Sequence, residues 1–155
     1  MGALQGYIDL TSFSLSTTTA TTVVYMTAPA NQRVRILGWG FFFDGTSNSA
    51  QPVTIDMGIL SSLTGSYTAF TPLPNESDLA TTFQSTCRVK NSNSGAPAEP
   101  VYNVRKTITV HPQLGYEFLA PLGQEFVIGG GLTGGWRCAA PATVNIRGYV
   151  LFEEG

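Results

Sequence analysis

The stretch Val34-Arg35-Ile36-Leu37-Gly38-Trp39-Gly40-Phe41-Phe42-Phe43-Asp44-Gly45 sets the character of this chain. Val34, Ile36 and Gly38 alternate with Arg35 and Leu37, the period of two that sends successive side chains to opposite faces of a strand. Asp44-Gly45 is turn chemistry and closes the run. Between Trp39 and Phe43 only Gly40 is not aromatic, so such a strand must direct rings to both faces. With Phe42 on the core face, Phe41 and Phe43 point the other way, towards a partner or towards the chain's own connecting segment. Trp39, Phe41 and Phe43, with Trp136 further on, are therefore the candidate interface residues.

The pattern recurs near the other end. Ala28-Pro29-Ala30 precedes Val34-x-Ile36-x-Gly38, and Ala140-Pro141-Ala142 precedes Val144-x-Ile146-x-Gly148. One reading is two long strands at equivalent places in two sheets; the other is that amphipathic strands after proline turns look alike. Glycine inside a strand costs stability, so Gly38 and Gly148 mark close approach of an aromatic ring or a neighbouring backbone.

Between and around these runs, β-branched and aromatic clusters alternate with Gly, Pro, Asn and Ser. Strands are expected near Tyr7–Leu15, Thr21–Thr27, Val34–Phe43, Val53–Leu60, Tyr102–Val110, Tyr116–Leu119, Glu125–Gly129 and Val144–Phe152, with a weaker one through Trp136–Ala139. Pro29, Pro52, Pro112, Pro121 and Pro141 sit at boundaries where no ladder donor is needed. A long connection, residues 71–100, includes a short helix expected over Asn75–Gln84, with Asn75 as its cap. Residues 129–135, rich in glycine, read as a flexible hairpin tip rather than a phosphate loop, because Lys and Ser/Thr are missing and no helix follows. The expectation is one all-β domain over 1–155, with 1–20 as an N-terminal arm. Its architecture is a two-sheet antiparallel sandwich, a jelly roll of about eight strands whose first and last strands pair.

Composition narrows the function. Apolar residues make up 43% of the chain and charged residues only 12%, about half the charged share of ordinary soluble domains. Arg33, Arg35, Arg88, Lys90, Arg105, Lys106, Arg137 and Arg147 are scattered, and net charge is −2, so the basic footprint of a nucleic-acid binder is missing. Neither a secretory signal nor a membrane-length apolar run is read in the sequence, so the expectation is a soluble protein made in the cytoplasm. Cys87 and Cys138 read as unpaired, semi-buried thiols.

Catalytic and metal chemistry finds little support. His111 has no partner at metal-ligand spacing and reads as a surface or hydrogen-bonded residue. Asp44 and Asp56 lie near strand ends, where a hydrolase pair or ordinary polar termini fit equally. No cofactor is expected. Trp39, Trp136 or Tyr67 could instead stack on sugars, the lectin reading.

Nearly the whole chain resembles the small jelly-roll proteins that decorate tailed-phage capsids, the decoration or cement proteins. The residues that carry the resemblance are the Thr-rich opening (Thr17-Thr18-Thr19, Thr21-Thr22), the strand Arg33–Asp44 and the closing run Ala140–Tyr149. It implies a homotrimer on the virion surface, made in the host cytoplasm, that contacts the major capsid protein and stabilises the shell without catalysis, nucleic acid or membrane. The alternative is a tail-associated receptor-binding or carbohydrate-binding module.

Overall fold

The computed structural model describes residues 3–45, 51–61, 67–75, 82–90 and 100–155, with the backbone alone at 16–19. Among them every regular element is a strand: β1 (Leu4–Thr27), β2 (Val34–Gly45), β3 (Val53–Leu60), β4 (Thr68–Phe70), β5 (Leu73–Pro74), β6 (Thr86–Val89), β7 (Tyr102–Val110), β8 (Gly115–Leu119), β9 (Phe126–Ile128) and β10 (Thr133–Glu154). All pairings are antiparallel, and they join into one sheet curled around a single core. The all-β class is as the alternation indicated.

Two long strands organise the curl. β1 and β10 pair from Leu4↔Glu154 to Thr27↔Thr133, so the start of the chain lies against its end as expected. Their register jumps between Leu15↔Val144, Thr17↔Ala140 and Thr21↔Cys138, and these bulges divide the sheet into two halves. Half A holds residues 4–15 of β1 and 144–154 of β10, with β5 beyond β1, and with β2, β8 and β9 beyond β10. Half B holds residues 21–27 of β1 and 133–139 of β10, flanked by β6 and β4 on one side and by β3 and β7 on the other. Across the opening, Lys106 of β7 sits over the Phe118 ring of β8 at 3.7 Å from its centroid, which brings these two edge strands close to one another.

Several expectations change. Two pairs of expected strands are fused, because a bulge continues a ladder that the sequence reads as broken. Pro141 lies in the register jump, where the ladder needs no donor from it. Residues 4–15, expected as part of an arm, are paired with the chain's own β10. The connection over 71–100 is interrupted by β5 and β6, which pair with β1 far away in sequence. The helix expected over Asn75–Gln84 falls mostly outside the described residues. Of residues 129–135, only the part around Gly130-Gly131 is a turn; Gly134 and Gly135 are buried in β10. The echoing strands Val34–Gly45 and 144–154 are hydrogen-bonded neighbours in half A, running antiparallel, rather than counterparts in two sheets.

The core comprises Ile8, Leu10 and Leu15 of β1, Val34, Ile36, Trp39 and Phe41 of β2, and Val150 and Phe152 of β10, joined from half B by Ile55, Met57, Trp136 and Cys138. Gly148 fits the role inferred from sequence: a Cβ there would lie 2.4 Å from the Phe41 ring, so that ring lies directly on the β10 backbone. Gly38 likewise faces Leu119, which a Cβ would meet at 2.7 Å. Where β2 passes Leu37 its register against β10 slips between Ile36↔Phe152 and Gly38↔Leu151. That one-residue bulge reverses which side chains face inward for the rest of the strand.

Candidate functional site

The bulge at Leu37 decides the surface. Before it, Val34 and Ile36 face inward; after it, Trp39, Phe41 and Phe43 do. All three are buried in the chain's own core, and so is Trp136 at the centre of half B. The four residues expected at an interface are thus interior residues, and the outward ring of the strand is Phe42, 42% exposed. The lectin reading through Trp39 or Trp136 falls with them. Tyr67 instead packs edge-on against Tyr25, centroids 5.1 Å apart.

Around Phe42 the outer face of half A is a short lattice of rungs. Asp9, Tyr149, Gly40 and Glu117 share one rung across β1, β10, β2 and β8. Arg147, Phe42 and Gly115 share the next, and Ser14, Asn145 and Asp44 the one after. The missing side chains at Gly40 and Gly115 make room for rings. A Cβ at Gly115 would fall 2.1 Å from the Phe42 ring, and one at Gly40 would meet Tyr149 at 2.9 Å and Phe42 at 3.2 Å. The two rings therefore lie across bare backbone, centroids 6.4 Å apart and 26° from parallel. The Tyr149 hydroxyl donates to the Glu117 carboxylate, which pins the tyrosine across the sheet. Burial, that hydrogen bond and the nearby charge of Glu117 push the Tyr149 phenol up to about 12.

Two adjoining hollows flank this aromatic pair. One, of about 380 Å³, is lined by Asp9, Ser12, Arg147 and Tyr149 as well as Phe42. The other, of about 400 Å³, is lined by Ser12, Phe42, Asp44, Asn145 and Arg147. The side chains of Asp9, Ser12, Asp44, Asn145 and Arg147 make no hydrogen bond or ion pair among the described residues.

Half B presents a different outer face. Arg137 Nε donates to Asp56 Oδ2 at 2.9 Å, Thr107 Oγ1 donates to Asp56 Oδ1 at 2.7 Å, and the Arg137 guanidinium lies 4.5 Å from the Tyr102 ring centroid. The Tyr102 hydroxyl meets Thr22 Oγ1 at 2.8 Å. Asp56 therefore serves an ion pair on half B while Asp44 belongs to half A, and the fold does not bring them together as a carboxylate pair.

A second surface feature is apolar. Leu114, Leu119, Leu122, Val127 and Leu132 are all exposed along β8, β9 and their flanking turns, Leu122 to 97%. Sequence reasoning did not single out this rim, although Glu117 and Glu125 are the only charges between residues 115 and 128.

Cys87 and Cys138 are buried free thiols. Burial, with a smaller contribution from Glu154, pushes the Cys87 thiol up to about 12; burial and then Asp56 raise that of Cys138 as well. His111 is exposed, its Nδ1 accepting the Gln113 N–H at 3.2 Å. Among the described residues no three His, Cys, Asp or Glu side chains converge as a metal cluster would require. No helix there is long and apolar enough to cross a membrane. No family model, no curated protein and no solved structure matches the chain.

Proposed function

We propose that this chain is a structural protein that binds the outside of a phage capsid as a decoration protein, assembles as a homotrimer and stabilises the shell without catalysis. In this reading the curled sheet is a jelly-roll sandwich, its two halves being the two layers. The protein is made in the host cytoplasm and resides on the virion surface, with the major capsid protein as its partner. The apolar rim carries the proposal. Sheet margins in proteins that stay monomeric are usually guarded by charge; here Leu114, Leu119, Leu122, Val127 and Leu132 crowd one margin instead. Covering a fully exposed side chain such as Leu122 is worth roughly 1.5–3 kcal/mol and covering the half-exposed ones about half as much, a gain that works against the cost of association and favours contact with other subunits or a lattice.

The test is solution mass by light scattering, followed by co-sedimentation with shells of the parent phage. A trimer that pellets with the shells is expected. A variant carrying Leu119→Ser and Leu122→Ser should lose both behaviours while remaining a folded monomer that unfolds cooperatively, with a midpoint that no longer depends on protein concentration. A strict monomer that stays in the supernatant with every shell would overturn the proposal.

A further inference from the structure

We infer that the outer face of half A is a carbohydrate site, an oligosaccharide groove for neutral sugars centred on Phe42. Four observations converge on it. The Phe42 ring lies on the bare backbone of Gly40 and Gly115 and turns its other side to solvent, with Tyr149 beside it only 26° from parallel. The apolar side of a pyranose, edged with slightly positive C–H groups, fits the negative face of such a ring. The hydrogen bond from Tyr149 to Glu117 holds that platform in place before any ligand arrives, so little side-chain freedom is lost on binding.

The polar rim of the groove suits hydroxyl groups. Asp9 and Asp44 offer acceptors, Arg147 offers donors, and Asn145 and Ser12 offer both, with none of these side chains engaged elsewhere among the described residues. Sugar hydroxyls donate and accept, and a site of this kind is mostly a matter of a few placed polar groups around an apolar surface. The hollows, about 380 and 400 Å³, share Ser12, Phe42 and Arg147, which makes one continuous groove for a short chain of sugars rather than a pit for one.

Charge selects the class of sugar. Two free carboxylates oppose a single guanidinium, so a phosphate, sulfate or uronate would meet net repulsion. A nucleic-acid strand is disfavoured for the same reason. The carboxylates also stand too far apart for hydrolysis. Asp9 and Asp44 are two strands and four residues of β10 apart, roughly 16 Å from ordinary strand spacings, against the ~10 Å or less that a glycosidase pair requires. The groove holds its ligand without cleaving it.

The residues involved are separate from the Leu119–Leu122 rim, so this inference and the capsid-docking reading can fail independently. The experiment is a backbone-amide NMR titration of the intact chain with neutral hexasaccharides of glucose, galactose, mannose, rhamnose and N-acetylglucosamine, and with sulfated dextran. At least one neutral sugar should shift the amides of residues 9–12, 40–44 and 145–149, with a Kd on the order of 0.1–1 mM. Phe42→Ala should weaken that binding about tenfold or more, and Arg147→Gln by a smaller factor, while Leu122→Ser leaves it unchanged. Sulfated dextran should not move these amides. The inference is overturned if no neutral sugar shifts them at about 10 mM, if binding survives Phe42→Ala, or if sulfated dextran binds as well as the neutral sugars. Capsid co-sedimentation of the Phe42→Ala variant reports separately on the docking reading and should be unaffected.

Discussion

Arg137 and Arg147 stand on the same strand, β10, and both point away from the core, yet they live in different circumstances. Arg137 is held by Asp56 and lies against Tyr102, whose hydroxyl is itself engaged by Thr22. Arg147 borders two hollows and has no partner among the described residues. The same contrast separates the two halves of the sheet. In half B the outer face around Arg137 is taken up by the chain itself, and Thr21, Thr22, Val23 and Val24 are buried in succession, although much of β7 stays exposed. In half A the outer face is aromatic and open, with Tyr149 held by Glu117. Exposed polar side chains that make no contact of their own, set beside a ring held by a hydrogen bond, remain open to a ligand's hydrogen bonds. This contrast, more than any single residue, directs the functional reading to half A.

The largest effect should come from crossing the sheet at neighbouring residues. Phe41→Ala removes a ring that rests on Gly148 in the core and should cost about 3–5 kcal/mol in urea unfolding, whereas Phe42→Ala should stay within about 1 kcal/mol. Equal costs would mean that the bulge at Leu37 is misplaced. Next comes Glu154. Its buried carboxylate accepts the backbone N–H groups of Gln84 and Ser85, at 2.9 and 2.8 Å, as well as the Ser85 hydroxyl. Glu154→Ala strands those donors and should cost about 2–3 kcal/mol, with amide exchange accelerated at Gln84 and Ser85.

The arginine pair gives a smaller and sharper difference. Arg137→Ala leaves Asp56 without its cation and should cost about 1–2 kcal/mol, whereas Arg147→Ala should change stability by less than about 0.5 kcal/mol. A gradual effect is expected from pH. The thiols of Cys87 and Cys138 and the phenols of Tyr25 and Tyr149 all hold their protons more tightly in the folded chain, chiefly through burial. Their contribution is complete below the pKa values of the unfolded chain, near 9 for the thiols and 10 for the phenols, and is lost as pH rises towards 12. The urea midpoint should therefore hold steady up to about pH 8 and decline above it, and the native thiols should resist a thiol reagent at pH 8.

Much of the fold could be read from local pattern. Val53–Leu60 and Tyr102–Val110 form strands with the expected bounds, because their alternation is clean and Pro52 and Pro112 limit them. What could not be read is what depends on a distant partner. Whether Phe41 or Phe42 faces inward is set by the extra residue at Leu37, a bulge that exists only against β10. β4, β5 and β6 are two to four residues long and owe their existence to the edge of β1 or to one another. The groove was hidden for the same reason. Asp9 meets Tyr149 and Phe42 meets Arg147 only through pairings that span more than a hundred residues. The aromatic richness of Trp39–Phe43 marked the right strand and the wrong face.

That face is open to direct measurement by hydroxyl-radical footprinting of the native chain, read residue by residue by mass spectrometry. Phe42 should be oxidised readily, while Trp39, Phe41, Phe43 and Trp136 stay protected until the chain unfolds. Oxidation of Phe41 or Phe43 with Phe42 protected would contradict the account, because it would turn β2 over and bury the groove on which the reading of half A rests.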